Sequence, residues 1–100
     1  THYSVALKYN PENDMAPVCI AKGADAVAQK IREIAFENGI PMIENKPLAR
    51  VLYDTVEIDQ VVPVEHWEIV AEIIRFVFDL KKDGKGSKAP EGSTLRTKPN

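Results

Sequence analysis

The sequence predicts an α/β domain: a small mixed sheet of about three to four strands packed with helices, then a long C-terminal helix and a disordered tail. Three observations carry this. Tyr3, Val5, Leu7 and Tyr9 alternate with Ser4, Ala6 and Lys8, the period of a strand with one buried face. Ala24, Val27, Ala28, Ile31, Ile34 and Ala35 recur three and four residues apart, the stripe of an amphipathic helix. The stretch from Val64 to Leu80 keeps helical spacing throughout, whereas almost nothing apolar follows Lys81. The division is therefore a domain over residues 1–82 and a basic tail over 83–100.

One hundred residues make one small domain with a modest core and no room for a deep enclosed active site. The composition, 44% hydrophobic and 28% charged, is that of a soluble globular chain. The net charge of −2 gives no reason to expect nucleic acid as a partner. It is unevenly spread: residues 81–100 carry six Lys/Arg against two acids, leaving residues 1–80 with seven against thirteen. No apolar run approaches the roughly 20 residues of a membrane span, and no signal peptide is visible.

The chain opens on its first strand with no preceding cap or turn, so residues upstream are expected to have been removed by cloning or by cleavage. Asn10-Pro11-Glu12-Asn13-Asp14 is a turn cluster. Val18-Cys19-Ile20-Ala21 then reads as a second strand, with Pro17 at its start or on an edge. The helix from about Ala24 to Asn38 has Asp25 in its first turn and Gly39 as a left-handed stop before Pro41. Ile40-Pro41-Met42-Ile43-Glu44 is a short strand, and strand–helix–strand order implies a parallel βαβ pair. Pro47 to Asp54 is a short helix with Leu48, Val51 and Leu52 on one face and Arg50 pointing away from it. Thr55–Gln60 is a connection, and Val61-Val62-Pro63 a brief extended piece.

The last helix is unusual. Glu65, Glu68, Glu72, Arg75 and Asp79 form one polar stripe. The rest, including Trp67, Ile69, Val70, Ala71, Ile73, Ile74, Phe76, Val77, Phe78 and Leu80, covers roughly 220° of the circumference. Either the helix is wedged between other elements, or part of this arc is a partner-docking patch. Both arrangements fit the pattern. The tail lacks the apolar content to offset the entropy of ordering and is expected to be mobile.

Recognisable chemistry is sparse. Lys22-Gly23-Ala24 lacks the flanking glycines of a phosphate loop. Two histidines and one cysteine do not make the usual zinc set, and no metal or other cofactor is implied. Cys19, in an apolar run, reads as a buried reduced thiol, and His66 as an exposed or capping residue. No nucleophile, base and orienter fall at known spacings. An ordinary turnover enzyme is disfavoured.

One set of segments is distinctive: Thr1 through Tyr9, Ala16-Pro17, Ala21-Lys22-Gly23, Ile31-Arg32-Glu33, Ile40-Pro41 and Pro47 through Tyr53. In order and without large gaps, residues 1 to about 81 resemble the C-terminal cytoplasmic domain of the FlhB/YscU/SpaS family of type III export switch proteins. The run from Tyr3 to Tyr9 is more similar to the flagellar branch.

The resemblance implies a specific chemistry. The family cleaves its own backbone between Asn and Pro of an Asn-Pro-Thr-His motif. The Asn amide attacks its own carbonyl carbon, closing a succinimide and expelling the Pro nitrogen, with proton transfer assisted by the His. Thr1 and His2 match the last two motif positions; the Asn and Pro are absent from this chain. It therefore reads as a post-cleavage fragment in which Thr1 and His2 are a remnant of the autocleavage motif, inactive here.

The resemblance also supplies partners and a place. The N-terminal fragment would remain associated, its strand before the cleavage site joining the same sheet; without it the first strand exposes an edge. The domain would sit at the cytoplasmic face of the inner membrane beside an FlhA-like export gate protein. It would bind rod- and hook-type export substrates, then change specificity on a signal from a FliK-like ruler protein. Family substrate binding uses a hydrophobic patch that maps onto Ala16, Pro17, Ala71 and Ile74, the last two on or within the apolar arc. Alternatives are the equivalent injectisome domain, a stand-alone FlhB-like protein, a small α/β enzyme on this scaffold, and a membrane- or nucleic-acid-binding module using the basic tail.

Overall fold

The computed structural model describes residues 2–83 and 88–99. It is a mixed α/β arrangement of four short strands and three helices, the last of these being the long helix that the sequence predicts. β1 (Tyr3–Lys8) and β2 (Val18–Ala24) form an antiparallel hairpin, with Tyr3 opposite Ala24 and Lys8 opposite Val18. The turn cluster closes on Asn10, whose carbonyl accepts the amides of Asn13 and Asp14 at 3.0 and 2.8 Å. Its side chain accepts from the Glu12 amide, and its own amide donates to Asp14 Oδ2. A bulge between Ala6 and Leu7 places Leu7 opposite Cys19, so Ile20 drops out of register and is 50% exposed.

Residues 59–62 lie along the other edge of β2. The Cys19 amide donates to Gln60 O, the Asp59 amide to Cys19 O and the Val62 amide to Pro17 O, at 2.7–3.0 Å. Pro17 uses its carbonyl there, so its missing N–H costs nothing. The outer edge of β1 carries no strand among the described residues.

α1 (Asp25–Glu37) packs on this hairpin and ends as predicted, with Gly39 at φ +67°. Only Ala28 on it is buried; Val27 and Ile34 stay exposed. β3 (Met42–Glu44) follows, but the parallel pairing expected of a βαβ unit does not form. Both edges of β2 are already taken. β3 instead pairs antiparallel with β4 (Thr94–Arg96), Met42 opposite Arg96 and Glu44 opposite Thr94. Two antiparallel pairs thus stand in place of one mixed sheet.

The same pairing takes in part of the stretch, 83–100, that the sequence reads as a mobile tail. Residues 88–99 fold back on the domain, held by contacts between named side chains where apolar burial is lacking. Residues 84–87 and 100 lie outside the described residues.

α2 (Lys46–Thr55) is capped by Asn45, whose Oδ1 accepts the Leu48 amide at 3.1 Å, with Pro47 in the first turn. It is tied to the hairpin at its far end: Lys22 Nζ donates to Tyr53 O at 3.0 Å and lies 5.3 Å from the Tyr53 ring. Tyr3 packs on Tyr53 with centroids 4.7 Å apart, and the Arg50 guanidinium lies over Tyr3. A single 3-10 turn, Val64–His66, leads into α3 (Trp67–Asp83).

The core is small. Cys19, Leu52, Val56, Val62 and Val70 are buried together, with Val5, Leu7, Leu48, Ile69 and Ile74 packed around them. The apolar arc of α3 is accordingly covered in part. Val70 is buried and Ile69 and Ile74 lean on the core, while Trp67 and Phe78 remain 42% and 41% exposed. No helix among the described residues is long and apolar enough to cross a membrane.

Candidate functional site

On α3, Trp67, Ala71, Ile74 and Phe78 stand four, three and four residues apart, which puts them on one face. Opposite that face runs the stretch joining β1 to β2. Its turn cluster delivers Met15, Ala16 and Pro17 against α3, and these elements together enclose an open depression of about 290 Å³. Tyr9, at the end of β1, and Arg75 complete the lining. All four residues expected from the resemblance, Ala16, Pro17, Ala71 and Ile74, line this one depression.

They differ in what they offer. Ala16 is 4% exposed and belongs to the floor, while Ala71 is exposed on the rim. Ile74 is half-buried, reaching from the core cluster into the wall. The remaining lining was not singled out as a site by sequence reasoning. Met15 is 98% exposed, an apolar side chain almost wholly in water. Tyr9 stacks on Phe78 with ring centroids 6.5 Å apart and planes inclined by 22°. Trp67 is fixed by its indole N–H, which donates to Val62 O. The spacing of 67, 71, 74 and 78 was a signal for Trp67 and Phe78; nothing local marks Tyr9 or Met15. The surface is apolar, with Arg75 as its one charged lining residue among the described residues. It can grip an apolar side chain, and it presents no acid–base pair.

The two residues that the resemblance assigns to a cleavage motif lie elsewhere. Thr1 is outside the described residues. His2 is exposed and held through its main chain, its amide donating to Asp25 Oδ1 at 3.2 Å and its carbonyl accepting the Asp25 amide at 2.8 Å. His2 and Tyr9 flank opposite ends of β1, roughly 20 Å apart along an extended strand. The two expected functional regions are therefore separate places joined by one strand.

Other candidates resolve simply. Cys19 is wholly buried, and desolvation of the thiolate raises its pKa above the ordinary 9.0, opposite to what a reactive thiol needs. His66 Nε2 lies 3.3 Å from Thr55 Oγ1 beside a second depression of about 430 Å³ between α2, α3 and residues 91–92. No group of three or more metal-ligating side chains is found among the described residues.

Comparison with known proteins supplies the context. The model of the FlhB HrpN YscU SpaS family matches residues 1–77. The chain is 54% identical over 82 residues to the flagellar biosynthetic protein FlhB of Bacillus subtilis, covering 82% of this chain and 23% of that protein. To the FlhB of Escherichia coli it is 49% identical over 82 residues, covering 82% and 22%. The chain thus matches under a quarter of the length of these relatives. Among solved structures, the cytoplasmic domain of FlhB from Shewanella putrefaciens superposes with a TM-score of 0.78 at 41% identity, covering 91% of this chain and 76% of that one. The PscU C-terminal domain does so with 0.73 at 35% identity, covering 75% and 95%.

Proposed function

The chain belongs to the FlhB HrpN YscU SpaS family, and on that premise we propose that it is the C-terminal domain of a flagellar export component that works by docking export substrates. One observation carries this reading: Ala16, Pro17, Ala71 and Ile74, far apart in sequence, line one apolar depression walled by aromatic rings. Its occupant is a rod- or hook-type export substrate presenting an apolar side chain. The role is binding and not turnover. The higher identities, 54% and 49%, are with flagellar relatives, which favours the flagellar branch over an injectisome.

The remaining partners follow the same reading. The outer edge of β1 receives a strand from the N-terminal part of the protein, the segment before the Asn-Pro bond. An FlhA-like gate protein is the neighbour at the cytoplasmic face of the inner membrane. A FliK-like ruler protein supplies the signal that changes specificity after autocleavage at the motif ending in Thr1 and His2.

Titration of the domain with a purified hook-type subunit tests the docking reading. Ala71→Asp places a carboxylate in the apolar depression without touching the core, so binding should fall at least tenfold, on the order expected for burying an unpaired charge. Unchanged affinity would overturn the proposal.

A further inference from the structure

We propose that residues 88–99 are an intramolecular strap that occupies the edge of β3 and, through Arg32, tightens β1. The family model ends at residue 77, short of this element. Its occupant is settled by side chains. Arg96 Nη1 meets Glu44 Oε2 at 2.7 Å, across the β3–β4 pairing, with the two side chains 28% and 39% exposed. Asn45 Nδ2 donates to Ser93 Oγ at 3.0 Å, and the strap turns just before this, the Ser93 amide bonding Pro90 O with Gly92 at φ +84°. The strap is also the basic part of the sequence, with Lys88, Arg96 and Lys98 against the single Glu91, set on an otherwise acidic body.

The link to β1 is one guanidinium. Arg32 Nε donates to Pro99 O at 2.9 Å, Nη2 to Gln29 Oε1 at 2.6 Å and Nη1 to Ser4 Oγ at 3.1 Å. Ser4 is a buried polar residue of β1, and its hydroxyl donates in turn to Ala28 O at 3.1 Å. A planar, rigid donor fork holds three partners in fixed relative positions. Seating Pro99 therefore fixes the nitrogen that satisfies Ser4. Releasing the strap frees Arg32 on one side, weakens the hold on a buried hydroxyl, and bares the β3 edge. Arg32 acts here as a positioning residue between the strap and the strand whose ends carry His2 and Tyr9.

Hydrogen–deuterium exchange on the whole chain tests this with Arg96→Glu, Glu44→Arg and the double variant. Arg96→Glu sets two carboxylates against each other, so exchange at Met42–Glu44 should rise on the order of tenfold, with a smaller rise at Ser4–Ala6. The double variant should restore both. No change at β3 would show that the strap is not seated; a change at β3 alone would overturn the link through Arg32. Exchange at Leu52–Val56 serves as the reference. A parallel rise there would mean general destabilisation and would equally overturn the proposal.

Discussion

Asp25 and His2 bind each other twice, main chain to main chain and main chain to carboxylate, with Asp25 held in the left-handed region at φ +49°. A non-glycine residue at positive φ is costly, and Asp tolerates it better than most. Here the conformation aims both its amide and its carboxylate at His2. Asp25→Ala keeps the strain and loses the side-chain bond, so it should cost about 1–2 kcal/mol. Asp25→Gly loses the same bond but relieves the backbone, and should cost less. Urea denaturation of the two variants gives the order; Gly worse than Ala would show that the site is unstrained.

The two helix residues of the depression should separate under mutation. Ala71 is exposed, so Ala71→Asp should change stability by within about 0.5 kcal/mol while binding is lost. Ile74 leans on the core cluster, so Ile74→Asp should cost about 3 kcal/mol or more. Thermal melts run beside the binding titration would show this. If both variants unfold the domain, α3 is more deeply packed than its exposure indicates.

Gly23 is required for space. A Cβ added there would meet Val27 Cβ at 2.8 Å and the Val27 carbonyl carbon at 3.2 Å. Gly23→Ala should therefore destabilise by about 1–3 kcal/mol. Val27 is 56% exposed, so Val27→Ala should by itself cost little and should recover part of the Gly23→Ala loss. A double-mutant cycle measures the coupling; strictly additive effects would place the clash elsewhere.

Cys19 gives the stability a pH dependence with a definite sign. Burial raises the folded thiol above its ordinary 9.0, so the unfolded chain loses this proton first as pH rises. The stabilisation is fully present below the unfolded pKa and is lost as pH climbs through the folded one. Urea midpoints of the parent and of Cys19→Ala, from about pH 7 to about pH 10, should converge at the alkaline end. Parallel curves would show that the thiol does not contribute.

Periodicity made α1 and α3 legible, and punctuation at Gly39 and Pro41 located the end of α1. Alternation located β1 but misjudged Ser4. It falls on the solvent side of a one-faced strand, yet α1 covers that side and Ser4 is buried against Ala28 O. The strap was illegible because its partner, Glu44, is 52 residues from Arg96, and composition alone argued for mobility. Val56 shows the converse: it lies in a stretch read as a polar connection, yet it is fully buried. At the depression, spacing gave only the apolar arc of the last helix, and the family resemblance supplied Ala16, Pro17, Ala71 and Ile74. Tyr9 and Met15 needed the hairpin's closure, which depends on the bulge and on the turn around Asn10.

The floor of the depression is Ala16, one of the most buried side chains in the protein. The proposed receptor and the foundation share a wall. Whatever settles there touches atoms assembled only in the folded chain, so mass action draws the population away from the unfolded state. Occupancy can thus be read as heat resistance: at a hundredfold excess over its dissociation constant, an occupant adds about 2.7 kcal/mol. A melting-temperature screen of subunit-derived peptides would then rank ligands without a label or an export assay.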